Sequence, residues 1–175
     1  AKEPPKSTAE SLKQLRFASS KAVFGPITLL AADRQVKYNF RLVEYEEMQG
    51  RRTAVIEALP KNEKDSQFIY GKVWIDTQDF SILKIKANPN SILGYERLRK
   101  FADSISTRLL LTLETEFFKL RDGIRFPTRI HFAEFYKGGP FVSRSAGSKG
   151  WTRTETLTTY EDYLFFDVST DVKYQ

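Results

Sequence analysis

The stretch from Gly71 to Pro89, GKVWIDTQDFSILKIKANP, constrains the fold of this chain more than any other, because it reads as two strands joined by a tight polar turn. Side chains alternate along a strand, so Gly71, Val73 and Ile75 point one way and Tyr70, Lys72, Trp74 and Asp76 the other. Thr77-Gln78-Asp79 supplies the turn. Leu83, Ile85 and Ala87 then share one side of the second strand, with Ile82, Lys84 and Lys86 on the opposite side. Nothing in this stretch performs chemistry; it specifies architecture.

The same period of two recurs through most of the chain. Residues 36–45 alternate Tyr38, Phe40 and Leu42 against Lys37, Asn39 and Arg41, with a phase slip near Val43, and residues 51–59 run back after a Gln49-Gly50 turn. Thr107 to Leu120 reads as a long strand with Leu109, Leu111, Leu113 and Phe117 on one side. Arg121-Asp122-Gly123 turns it into a returning strand over 124–136, in which Pro127 implies an edge position or a bulge. A Gly-, Ser- and Pro-containing loop (137–150) precedes a last long strand over 151–166. Helical spacing appears over Thr8 to Val23, after a frayed tail at residues 1–7. Ser91 to Ala102 fits either a helix with Ile92, Tyr95, Leu98 and Phe101 on one face or an irregular linker. Ile27 to Ala32 fits a short strand as well as a helical turn.

With 175 residues, 41% of them hydrophobic and 29% charged, the chain suits one globular domain, residues 1–175. Aromatics at 14% favour strands. There is no cysteine, which excludes disulfides, thiolate metal sites and cysteine nucleophiles. No run of about 18 apolar residues is present, so no helix of this sequence has the composition of a membrane span. The net charge of +6 comes from scattered Lys and Arg interleaved with Asp and Glu; the densest cluster is Arg97, Arg99 and Lys100. An anionic membrane surface is a candidate partner for such a chain. Nucleic acid is not expected, because the aromatics alternate away from Lys37, Arg41, Lys84 and Lys86.

Catalysis has little to stand on. The single histidine, His131, lies in a strand, and no Gly-x-Ser-x-Gly turn occurs. Glu114 and Glu116 alternate on what reads as the wet side of a strand, and Asp76 and Asp79 flank a turn, where Asp serves local hydrogen bonds. No metal-ligand spacing is visible. The chain is therefore expected not to be an enzyme and to need no cofactor or metal.

Residues 68–89, FIYGKVWIDTQDFSILKIKANP, resemble a segment of the LolA/LolB-like superfamily, the outer-membrane lipoprotein-sorting proteins and their uncharacterised relatives. DGIRFPTRIHF (122–132) and TETLTTYEDYLFF (154–166), with Tyr160 and Tyr163, resemble later strands of the same family. The resemblance spans about residues 36–168. It implies an α+β fold: an incomplete, strongly curved antiparallel β-barrel with helices packed in or over its open face. It also implies non-covalent binding and carriage of a lipid or lipoprotein acyl chain in the periplasm or cell envelope, with export by a signal sequence not in this chain. A protein-interaction or lipid-sensing module of an envelope assembly is the alternative. The apolar rows put forward as the lipid-binding wall are Val73, Ile75, Leu83, Ile85, Leu109, Leu111, Leu113 and Phe117. Whether that wall lines a hollow or fills a core, and which sheet face is concave, stay open at the level of sequence.

Overall fold

The computed structural model describes residues 27–62, 69–138 and 150–164. A 3-10 turn (Ile27–Leu30) and a single-turn helix α1 (Ala32–Gln35) lead into β1 (Tyr38–Met48), β2 (Arg51–Pro60), β3 (Gly71–Asp76) and β4 (Ile82–Ala87). A second 3-10 turn (Pro89–Ser91) and helix α2 (Tyr95–Ser104) follow. The chain closes with β5 (Arg108–Glu116), the short pair β6 (Lys119–Arg121) and β7 (Ile124–Phe126), then β8 (Arg129–Lys137) and β9 (Gly150–Thr159). Seven strands form one antiparallel sheet in the order β1-β2-β3-β4-β5-β8-β9, and β6 and β7 pair separately.

This corrects the expected architecture. The strands lie in chain order in an open sheet whose outer members, β1 and β9, do not pair, so the α+β incomplete barrel with helices in its mouth does not form. Helix is confined, among the described residues, to α1, α2 and two 3-10 turns, too little to pack an open barrel. The physical reason is that alternation specifies which residues face the core but carries no information on how strongly a sheet curls. Curl depends on bulges and strand stagger. The helix expected over 8–23, the tail at 1–7, and residues 139–149 of the loop lie outside the described residues.

Strand boundaries also differ: the first strand runs over Tyr38–Met48 rather than 36–45, the last ends at Thr159 rather than 166, and two runs divide for local reasons. The run 124–136 is broken by Pro127, which has no N–H to give the ladder, so β7 and β8 are separate elements. Thr107 to Leu120 likewise divides after Glu116: Phe117 N–H donates to the Leu83 carbonyl (2.8 Å) and Thr128 N–H to that of Glu116 (2.7 Å), and the chain swings out into the β6–β7 hairpin. The phase slip near Val43 is a β-bulge, where the β1–β2 register passes from Leu42↔Ile56 to Glu44↔Val55. The segment 91–102 resolves into a 3-10 turn and α2. Asn88 caps the turn, its side chain accepting from Asn90 N–H at 3.1 Å, and Gly94 (φ +89) opens the helix.

Both clusters of the core lie on one face of the sheet, and buried Val55 and Trp74 pair on the other. One cluster joins Leu29, Tyr38, Ala58, Tyr70, Val73, Ile85 and Phe117. The other sets Ile92, Tyr95 and Leu98 against Ala87, Leu111, Leu113, Ile130 and Phe132. The Gly71 backbone passes so close to the next strand that a Cβ there would overlap the Lys86 carbonyl oxygen and come within 2.7 Å of Asn88 N. Gly71→Ala is therefore expected to destabilise by about 1–3 kcal/mol through overpacking, measured by urea unfolding.

The β3–β4 turn carries a second backbone constraint. Phe80 adopts φ +57, left-handed backbone that a bulky side chain disfavours, and its N–H closes the turn onto the Asp76 carbonyl (3.1 Å). Asn tolerates this conformation far better, so Phe80→Asn is expected to stabilise the protein by about 1 kcal/mol, read as a higher denaturation midpoint at unchanged slope.

Candidate functional site

Register and packing place seven residues of the expected wall on the face that holds the two core clusters; Leu83 is buried at the β3–β4 bulge, where Ile82, expected on the other side, pairs with Ile75 and packs in the first cluster. Val73, Leu83, Ile85, Leu111, Leu113 and Phe117 are buried, and Ile75 and Leu109 half-buried. Val73, Ile85 and Phe117, with Ile75 at the margin, pack in the first cluster beneath Leu29 and Leu30 of the 3-10 turn. Leu111 and Leu113, with Leu109, pack in the second beneath the helix. Along this part of the face the neighbours of the wall are other side chains of the chain itself.

The same face continues beyond its cover. Three cross-strand rows run out to β1: Tyr45–Ala54–Ile75–Ile82, Leu42–Ile56–Val73–Ile85 and Phe40–Ala58–Gly71–Ala87. Each row has a buried or half-buried inner end and an open outer one. Phe40 is 41%, Leu42 50% and Tyr45 53% exposed. The β2 floor between is small or partly open, with Ala54 and Ile56 half-buried. Single exposed apolar residues are ordinary, but three on adjoining rows of one face form a patch of the kind that marks binding. At one end of this stripe the Arg52 guanidinium lies 4.7 Å from the centre of the Tyr45 ring, with Glu47 as the cross-strand partner of Arg52.

The opposite face is polar and tied together by charge. Trp74 is covered by Lys84, whose Nζ is 5.1 Å from the ring centre, and its Nε1–H donates to Glu46 (2.8 Å). Glu114 takes Lys84 (2.9 Å) and Lys86 (2.7 Å); burial works against its charge, but the two ammonium groups outweigh it and hold the carboxyl below its ordinary pKa. A shallow depression of about 260 Å³ lies between Glu114, Glu116, Arg129 and His131. His131 Nε2 is 3.0 Å from Glu155 Oε1. No nucleophile joins these groups in the lining, and among the described residues no three His, Cys, Asp or Glu side chains are arranged to hold a metal ion.

At the turn end of the sheet a knot of ions closes β2, β3 and the β6–β7 hairpin. Arg51 pairs with fully buried Asp76 and with Asp79 (3.1 Å), and Arg125 reaches Asp79 (3.2 Å) and the Ser81 hydroxyl (2.5 Å). Burial opposes the Asp76 charge, but the Gln78 N–H at 2.8 Å and the Arg51 guanidinium outweigh it and lower its pKa. Hydrogen bonds from the Ser81 hydroxyl and N–H, followed by Arg125, hold Asp79 far below the usual carboxylate range.

A third polar group interrupts the apolar face. Glu134, buried on β8, accepts from the Tyr136 hydroxyl (2.5 Å) and from Arg153 (3.4 Å). The Arg153 guanidinium lies 5.5 Å from the Phe101 ring centre, and Phe101 meets Tyr136 edge-on at 5.6 Å, so helix α2 is latched to β8 and β9. The alternation of β8 put Glu134 on the apolar side, and that misplaced carboxylate was the sequence signal for this latch.

A family model described as "Uncharacterized protein" matches residues 3–91, just over half of the 175 residues, and the chain belongs to that family. The matched span includes β1 to β4, and with them the open stripe. No curated protein and no solved structure matches the chain.

Burial, reinforced by Glu134, pushes the Tyr136 phenol up to about 12. A phenol that ionises later in the folded than in the unfolded chain contributes stability that is complete below the unfolded value, near 10, and is lost as pH rises towards 12. The thermal midpoint is expected to fall across that interval, and Tyr136→Phe to flatten the fall, measured by calorimetry at stepped pH.

Proposed function

We propose that this protein binds an extended apolar ligand non-covalently along the open stripe of β1 and β2, and that the ligand is a lipid or the acyl chain of a lipoprotein carried in the bacterial envelope. The observation that carries the reading is the half-exposure of Phe40, Leu42 and Tyr45 on rows continuous with the core. The resemblance of residues 68–89 to lipoprotein-sorting proteins supports the same ligand class and a periplasmic setting. The stripe from Phe40 to Tyr45 extends roughly 17 Å along the strand, a length suited to a chain laid parallel to it. Arg52 beside Tyr45 supplies a cation where the head of an anionic amphiphile would lie.

Magnitudes set the kind of binding. About ten methylenes, each half-covered on an open face, contribute roughly 4 kcal/mol. A charge-assisted hydrogen bond from Arg52 adds about 1.5–3 kcal/mol. Immobilising the ligand offsets part of this gain, so binding is weak, no tighter than about 10–100 μM. Such a site picks up and releases its ligand readily, as carriage requires.

Leu42 is half-exposed, so Leu42→Glu leaves the fold intact while placing a carboxylate in the stripe. It is expected to weaken uptake of a fluorescent long-chain fatty acid at least about tenfold, the loss of roughly 1.4 kcal/mol or more. Equal affinity in the folded variant would refute the stripe as the binding site, and no saturable uptake by the unmodified protein would refute acyl binding itself.

A further inference from the structure

We propose that the free edge of the sheet at β1 is a homodimer interface, in which β1 of one chain pairs antiparallel with β1 of a second copy about a two-fold axis. One side of β1 is paired to β2 along its length, and among the described residues no strand takes the other. Nine successive residues of this edge strand, 39–47, are exposed. Phe40, Leu42, Val43 and Tyr45 among them are large and apolar, each between 38% and 53% exposed. A long edge of this composition is a template for a further strand, which would take its outer N–H and C=O groups out of water. The opposite edge differs: along β9 the exposed side chains are Thr, Arg and Glu apart from Leu157.

A second copy is selected because β1 presents the same pattern of faces in both directions. Phe40 and Tyr45 are five residues apart, and in a regular strand they would point to opposite faces. The bulge at Val43 resets the alternation, so that Phe40 pairs with Ala58 and Tyr45 with Ala54, both in rows of the core face. Arg41 and Glu44 fall together on the polar face, opposite Glu57 and Val55. A two-fold axis between Leu42 and Val43 therefore sets Phe40 against Tyr45 of the second copy and Arg41 against its Glu44, and symmetry makes each contact twice. The same register sets Asn39 against Glu46 and Tyr38 against Glu47, so no carboxylate faces another. An axis moved to Tyr45 would set Glu44 against Glu46, a like-charge pair that disfavours this slip.

The charges on the edge are arranged for this contact. Arg41 Nη2 reaches Glu57 at 2.6 Å, yet its side chain is 72% exposed, which leaves other guanidinium N–H groups to a second carboxylate. Glu46 accepts from the Trp74 indole and Glu47 lies opposite Arg52. Glu44 is opposed by apolar Val55, and Arg41 of the second copy supplies its cation. On the other face the open stripes of the two chains meet side by side, and Phe40, Leu42 and Tyr45 of each copy shield those of its partner. One continuous antiparallel sheet results, with its apolar rows running unbroken across the axis.

The test is sedimentation velocity of the full chain over a series from micromolar to millimolar. The mass is expected to move from that of one chain, 20.2 kDa, towards twice that value and no further. Arg41→Glu and Glu44→Arg, each at an exposed position, are each expected to weaken association at least about tenfold, because each sets like charges opposite one another at both pairs. Mixed in equal amounts, the two variants are expected to recover it, since every acidic position then meets a basic one; a thermal melt of each checks its fold. A chain that stays monomeric, folded variants that associate like the natural protein, or a mixture that stays apart would each overturn the proposal. Growth beyond two copies would overturn it as well, because β1 meeting β9 of the next chain is an open-ended contact. Arg41 and Glu44 lie on the face opposite the stripe, so fatty-acid uptake by the folded variants reads the ligand proposal separately.

Discussion

A mismatch of dimensions governs this molecule. Seven paired strands make a sheet roughly 29 Å across, whereas a ten-residue helix is about 15 Å long and 10 Å wide. Helix α2 therefore covers the face over β4, β5 and β8, and the 3-10 turn with Leu29 covers a patch of β2, β3 and β4. The described residues supply nothing of comparable size for the outer half of β1 and β2. Phe40, Leu42 and Tyr45 lie beyond this cover and are exposed, and beneath it the core divides into two clusters.

The polar face meets a different constraint. Trp74 and Asp76 both point away from the helix side, yet both are buried. Each is covered by long charged side chains, Lys84 over the indole and Arg51 over the carboxylate, whose stems shield while their heads pair. A buried carboxylate with a guanidinium and a backbone N–H is in balance; removing either partner would leave an uncompensated charge. The Trp-Ile-Asp end of β3 thus has a structural reason for its composition that needs no ligand.

Much of the sheet was legible in the residues themselves. The existence of the two strands of the 71–89 hairpin, the slip at Val43 and the common face of Val73, Ile85, Leu111 and Leu113 follow from a period of two, whereas the bulge that brings Ile82 to the core side does not. What alternation did not carry was curvature, so a resemblance to a curled fold led to a barrel where an open sheet forms. Pro127 announced a break but not its size, and the hairpin it isolates was read as parts of two longer strands. The wall residues other than Leu83 lie in the packed part of the core face. Phe40, Leu42 and Tyr45 belong to the same face, and their exposure depends on how far the cover reaches, which is a property of the assembled molecule.

The unbroken strand order has a further meaning for how the chain reaches this structure. Every pairing from β1 to β5 joins neighbours in sequence, and β5 meets β8 across only the short β6–β7 excursion. Contacts of this kind close small loops, so little chain entropy is spent before each pairing is rewarded. The sheet can grow outward from the β3–β4 hairpin one strand at a time. Its assembly resembles the extension of a ribbon, faster than for a sandwich of equal size whose strands must find distant partners.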